Sequence, residues 1–152
     1  MVEIRRLQSN EVALLHIAAR LVQKHSWGPD YPLEPMTEMS QSELHIGAFV
    51  SDELVGYSGV NRSASPDLVD NGELWFVHAV VHPLHRRSKI WQTMYQERLN
   101  YAREMPGRIL CCTDNPHVES FLLSQGWHEN RKTVDVTDGS PITVFELTNR
   151  SP

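Results

Sequence analysis

The stretch ELWFVHAVVHPLHRRSKIWQTM, residues 73–94, holds the strand, turn and helix around which the rest of the chain can be placed. Its first nine residues are almost uninterruptedly aromatic, aliphatic or β-branched, which suits a central strand. Pro83 must end that strand, because proline has no amide to give to a ladder. Over residues 86–105, Trp91, Tyr95, Leu99 and Ala102, flanked by Ile90 and Met94, fall on one helical face, and Pro106 and Gly107 close the helix. Immediately after the strand and at the start of that helix, Arg86, Arg87 and Lys89 put permanent cations where a helix dipole disfavours them. An anionic ligand reverses the sign of that penalty, so exposed amides and cations together describe a phosphate site.

Working outward, RILCCT at 108–113 reads as a short buried strand. Asn115 then serves as a helix cap, with Pro116 at the first helical position and Gly126 at the C-terminal end. Residues 130–136 and 142–148 alternate around the turn segment TDGSP and predict a terminal hairpin. On the N-terminal side, residues 2–7 alternate like a strand. Ser9 and Asn10 offer caps for a helix carrying Val12, Leu15, Ala19 and Val22, which stops near Gly28 and Pro29. Residues 27–42 read as an irregular loop with one short helix starting near Thr37. Residues 44–50 and 54–60 are apolar runs spaced as an antiparallel hairpin. The element order predicts an α/β (α+β) fold with an antiparallel first half and a strand-helix-strand unit in the middle.

The chain has 152 residues, one domain on the usual prior, so residues 1–152 are expected to form a single domain. With 14 Lys+Arg against 19 Asp+Glu, the net charge of −5 disfavours general nucleic-acid binding. No apolar run approaches the roughly 18 residues of a membrane span, and the start MVEIRRLQSN lacks a secretory signal. A cytoplasmic protein with no membrane partner is therefore expected. The adjacent Cys111 and Cys112 suit neither a disulfide framework nor the paired ligands of structural zinc, and both are expected to be reduced.

Two segments resemble the GNAT superfamily of acyl-coenzyme A dependent N-acetyltransferases. VVHPLHRRSKIWQTM is similar to that family's strand, V-x-P and Q/R-x-x-G-x-G/A helix start, through Val81, Pro83 and Arg86. NPHVESFLLSQGW resembles its N-x-x-A-x-x-x-Y-x-x-x-G-F segment, through Asn115, Phe121, Gly126 and Trp127. The resemblance implies a mixed, mostly antiparallel sheet of six to seven strands flanked by about four helices. It also implies acetyl-CoA as co-substrate and an amine-bearing small molecule or peptide as acceptor, attacked directly in a ternary complex. Exposed strand edges in such folds often pair into dimers, so the resemblance admits a homodimer while leaving the oligomeric state open.

By the same mapping, Ala79, Val80 and Val81 would pair with the pantetheine arm. Arg86, Arg87, Ser88, Lys89, Ile90 and Trp91 would surround the pyrophosphate, with Asn115 also on the cofactor. The departures are specific. Lys89 and Trp91 occupy the two glycine positions, and Leu122 stands where the family has a tyrosine acid. These departures carry a second reading, a GNAT-like domain that has lost acetyl transfer and acts as a binding or regulatory module.

Acyl transfer needs a route for the amine's proton. Glu73, opening the central strand, is a candidate base, although the best-matched register puts Trp75 at the family's position. His78 has a suitable intrinsic pKa but the opposite strand parity, so the two serve one site only if a bulge intervenes. The histidines at 82, 85, 117 and 128 lack metal-ligand spacing, and no metal is expected. Asp67, Asp70 and Glu73, together with Trp27, Asp30 and Tyr31, offer an acidic, aromatic mouth for a cationic amine.

Overall fold

A computed structural model describes residues 2–28, 30–86 and 88–148. Strand β1 spans Val2–Leu7 and helix α1 Val12–Val22, which runs on as a π turn over Gln23–Trp27. Helix α2 is Pro35–Met39, and β2 Leu44–Val50 and β3 Glu53–Asn61 form the expected hairpin. Strand β4 is Leu74–Val81, followed by a 3-10 turn at Pro83–His85 and helix α3 at Ile90–Ala102. Strand β5 is Ile109–Thr113, helix α4 Pro116–Ser124, and β6 His128–Val134 and β7 Pro141–Leu147 close the chain.

The strands make one seven-stranded sheet in the order β1-β2-β3-β4-β5-β7-β6. Only β4 and β5 run parallel, and the crossover between them is α3, because parallel neighbours need a long connection. Every other pairing is antiparallel. Helices α3 and α4 cover one face over Phe76, Met94, Tyr95, Ile109, Trp127 and Phe145. Helices α1 and α2 cover the other over Leu15, Val22, Met39, Tyr57 and Val80. A smaller cluster of Trp75, Leu110 and Val144 ties β4, β5 and β7 together. Among the described residues no helix is long and apolar enough to cross a membrane.

Local chemistry accounts for most boundaries. Ser51 and Asp52 both take left-handed φ values, 49° and 66°, as a two-residue hairpin turn of twisted strands requires. Asn115 Oδ1 accepts the His117 amide at 2.9 Å, Pro116 opens α4, and Gly126 leaves it at φ 92°. Elsewhere the expectations need correction. Ser9 and Asn10 do not cap α1; Glu11 is the cap residue, and its carboxylate accepts the Gln8 amide at 3.0 Å and pairs with Arg5. Helix α2 starts at Pro35 rather than Thr37, since proline suits the first turn. Pro141 belongs to β7, where it lies at the strand's first position and no ladder amide is lost. Helix α3 begins at Ile90, four residues after the expected start, so Arg86 and Lys89 lie in the loop ahead of it.

Candidate functional site

Strands β4 and β5 pair over three residues only: Leu74, Trp75 and Phe76 against Ile109, Leu110 and Cys111. Beyond Phe76 they part. The cause lies on the opposite edge of β4, where Tyr57 and Gly59 face Val80 and Val77, so His78 and Ala79 together oppose the single Ser58. This is a β-bulge, with His78 at φ 59°. A bulge bends and over-twists the strand that carries it, which turns the second half of β4 away from β5.

The resulting fork opens a cleft of about 580 Å³ that passes through the sheet. Phe76, Val77, His78 and Ala79 form one wall of the fork, and Cys111 through Asn115 the other. On the α3/α4 face the cleft is bounded by Trp91, Tyr95, Arg98, Val118 and Leu122. On the opposite face Trp27, Tyr31, Glu38 and Asp135 bound it. Among the described residues, the edge of β4 that turns toward the cleft has no strand partner past Phe76, which leaves backbone groups there open to a ligand, the Val81 carbonyl excepted because Arg86 donates to it.

Of the expected cofactor residues, Ala79, Trp91 and Asn115 line this cleft. The side chains of Val80 and Val81 are buried, one in each core. Ile90 packs into the α3 core, and Arg87 lies outside the described residues. Arg86 is exposed and folds back, its Nε donating to the Val81 carbonyl at 3.0 Å and its Nη2 to His25 at 3.4 Å. It thereby ties the end of β4 to the π turn. Ser88 Oγ donates to the His85 carbonyl at 2.6 Å. Lys89, at a position where the resembling motif has glycine, takes the left-handed conformation at φ 62°. Such a φ costs an L-residue ~1 to 2 kcal/mol. The first intrahelical bond, from the Thr93 amide to the Lys89 carbonyl at 3.1 Å, leaves the preceding amides of Ile90, Trp91 and Gln92 free of helical partners. Trp91 points along the helix into the α3/α4 seam, stacked on Tyr95 at 6.0 Å and edge-on to Phe121 at 4.8 Å.

The two base candidates separate. Glu73 does not line the cleft. Its Oε2 accepts the Arg108 amide at 2.8 Å and lies 3.0 Å from the Cβ position of Gly107, which holds φ 96°. Glu73 secures the turn between α3 and β5 at the closed end of the fork, and the expectation that it acts as the base is corrected. His78 stands at the bulge, which removes the parity objection to it, with its ring 5.5 Å from that of Trp27. Burial pushes its pKa down to about 4, so the imidazole is neutral at pH 7, and its Nε2 has no hydrogen-bond partner among the described residues. Leu122 is buried in α4 and donates no proton.

The acidic mouth also differs from expectation. Asp67 and Asp70 are tied down by Arg131, with Nη2 to Asp67 at 2.8 Å and Nη1 to Asp70 at 3.0 Å, and Arg108 also pairs with Asp70. They brace β5 and β6 and leave the cleft to other acids. Asp30 borders a smaller hollow shared with Trp27, Tyr31 and Asp138. The aromatic part holds: Trp27 and Tyr31 lie 4.9 Å apart, and the Tyr31 hydroxyl donates to Asp135 at 2.9 Å. Glu38, Asp114 and Asp138 supply the carboxylates of this face.

The Arg131 guanidinium beside Asp67 holds its carboxyl well below the usual carboxylate range. A depressed folded-state pKa contributes stability that is complete above the unfolded value of about 3.9 and is lost as pH falls through and below it. Asp67→Asn is therefore expected to cost ~1 to 2 kcal/mol near neutrality, allowing for solvent screening at this partly exposed pair. The deficit should shrink steadily on acidification below about pH 4. Urea midpoints measured from pH 7 down to pH 3 check this, and a pH-independent deficit would refute it.

The fork also contains two groups whose role was not legible beforehand. Arg98 and Tyr95 sit on the apolar stripe of α3, and both face the cleft from positions buried to within 2 % of full coverage. The available signal was an arginine at an i+7 position from Trp91 on an otherwise apolar face.

No protein-family model matches the chain, and comparison with curated proteins finds no match. Solved structures do resemble it. The ribosomal-protein-S18-alanine N-acetyltransferase of Escherichia coli superposes with a TM-score of 0.75 at 15 % identity, covering 100 % of this chain and 96 % of that one. An aminoglycoside 6'-N-acetyltransferase complexed with coenzyme A gives 0.75 at 16 %, covering 99 % of each chain. The aminoglycoside 6'-N-acetyltransferase of Enterococcus faecium gives 0.74 at 16 %, again covering 99 % of each. With its seven-stranded sheet forked between β4 and β5 and its four helices, the chain has the fold of the GNAT acetyltransferases.

Proposed function

We propose that the protein is an acyl-coenzyme A dependent N-acyltransferase, with acetyl-CoA the simplest donor. The observation that carries this reading is the forked edge of β4, which has no β5 partner past Phe76, beside helix-start amides that have no intrahelical partner. A pantetheine arm carries two amides and can pair with such a strand edge as an added strand would. Its pyrophosphate would lie toward the start of α3, where the left-handed Lys89 turns the chain as a glycine would and adds a positive charge. The same fold holds coenzyme A in the aminoglycoside 6'-N-acetyltransferase complex.

The acceptor would enter from the opposite face. Trp27 and Tyr31 with Glu38, Asp114 and Asp138 favour a cationic primary amine over a neutral one. In the reaction, the amine nitrogen attacks the thioester carbonyl carbon, a C–N bond forms and the C–S bond breaks. The amine's proton leaves through water toward the unpartnered Nε2 of His78, and the thiolate takes a proton from water, since Leu122 has none to give. With its basicity lowered by burial, His78 relays a proton better than it stores one.

Isothermal titration with coenzyme A tests the reading. Binding in the micromolar range is expected, and no heat at millimolar coenzyme A overturns it. The stacking of Trp91 against Tyr95 and Phe121 favours a second reading, a domain that binds but does not transfer. Coenzyme A binding without thiol release from acetyl-CoA across a panel of amines would select that one.

A further inference from the structure

Arg98 projects from α3 onto the α3/α4 face of the sheet, where its guanidinium lies 4.6 Å from the centre of the Phe76 ring. Phe76 and its partner Cys111 are the last paired residues before β4 and β5 separate, so this cation marks the floor of the fork. Arg98 is 2 % exposed and lines the cleft. No carboxylate among the described residues is within ion-pair distance of it, and its Nε has no hydrogen-bond partner. Its titratable neighbours do not neutralise it: burial pushes the Cys111 thiol up to about 11 and raises the Tyr95 hydroxyl, so both stay protonated. A buried charge with neutral neighbours is a large desolvation cost that stacking on an aromatic face offsets only in part. An anion seated in the cleft would offset the rest. A second donor is already aimed by its own hydrogen bond. The Tyr95 oxygen accepts the Trp127 indole N–H at 2.7 Å, which leaves its hydroxyl hydrogen to give, and Tyr95 and Arg98 share a face one helical turn apart.

We propose that Arg98, assisted by the Tyr95 hydroxyl, receives a carboxylate at the far end of the acyl chain, so that the preferred donor is a dicarboxylic monoacyl thioester of the succinyl type. This rests on the reading of the fork as the coenzyme A channel. The placement favours the donor over the acceptor as the source of the carboxylate. Arg98 lies on the face where the start of α3 would hold the pyrophosphate, whereas the acids and aromatics suited to an amine lie on the other. A chain that passes its thioester at the bulge and continues to the closed end of the fork brings its terminus to Arg98. Transfer then follows the balance given above, a C–N bond for a C–S bond, with the distal carboxylate unchanged.

The test is the ratio of dissociation constants for butyryl-CoA and succinyl-CoA, which have the same four-carbon chain with and without the charge, measured beside coenzyme A alone. The wild-type protein should bind succinyl-CoA roughly tenfold to a hundredfold more tightly. Arg98→Met should bring that ratio to about one while leaving the affinity for unacylated coenzyme A in place, and Arg98→Lys should keep part of the preference. Methionine fills the volume without a buried charge, and replacing such a charge with a packed apolar group is commonly tolerated. If the variant nonetheless fails to fold, the wild-type ratio and Tyr95→Phe, which removes only the second donor, decide the matter. A wild-type ratio of one, or a ratio unmoved by Arg98→Met, overturns the proposal while the channel stands. Failure of unacylated coenzyme A to bind overturns the channel and this proposal together. A loss of affinity in Arg98→Met confined to carboxylate-bearing amines would place the anion on the acceptor and count against it.

Discussion

Trp75→Ala is expected to lower the unfolding free energy by ~3 to 5 kcal/mol, the range for a truncated core tryptophan. Trp75 is 0 % exposed and packs with Leu110 and Val144, so the cavity left behind would open on β4, β5 and β7 at once. Its indole N–H also donates to the Asp70 carbonyl at 3.0 Å, anchoring the loop that carries the Asp67 and Asp70 ion pairs. Chemical denaturation should show the midpoint falling with little change in slope. Trp75 also stands in the three-residue pairing that closes the fork, so coenzyme A affinity should weaken alongside stability. A loss under about 1 kcal/mol would contradict the packing described, since it lies below the usual range for core truncations of this size. The residue that the best motif register sets at the family's base position is thus a pillar of the sheet.

Ala79→Phe is expected to separate binding from folding. Ala79 is half-buried, lies on the length of β4 that has parted from β5 and lines the open cleft, so a phenyl ring enters the fork rather than the core. If the fork is the pantetheine channel, affinity for coenzyme A should fall by about a hundredfold or more, equivalent to roughly 2.7 kcal/mol. The thermal midpoint should stay within a few degrees of wild type. Calorimetric titration and thermal unfolding of the same preparation read both quantities. Undiminished binding would show that the ligand travels elsewhere.

Much of the fold was legible because its causes are local. The β2/β3 hairpin follows from two apolar runs and a short polar turn. The start of α4 follows from Asn115 and Pro116, and β4 from an unbroken run of aromatic and β-branched residues. Where local signals competed, the expectation slipped. The α1 cap went to Glu11 because its carboxylate reaches both Arg5 and the Gln8 amide, a pairing that depends on β1 lying alongside. The start of α3 moved from residue 86 to Ile90 because Pro83–His85 form a 3-10 turn and Lys89 turns left-handed before the helix.

The site divides along the same line. Side-chain period, proline and glycine placement and capping chemistry are properties of a few consecutive residues. They were enough to order the elements and to place the parallel strand-helix-strand unit, whereas the cofactor candidates, 79, 91 and 115 among them, were implied only by the resemblance of two segments to a known family. The bulge at His78 depends on how β4 registers against β3, and Glu73 depends on which amide lies across from it. Arg98 has meaning only once its side chain is seen to be buried, with no ion-paired carboxylate among the described residues. These are relations between segments far apart in the chain, set by packing that no local pattern encodes.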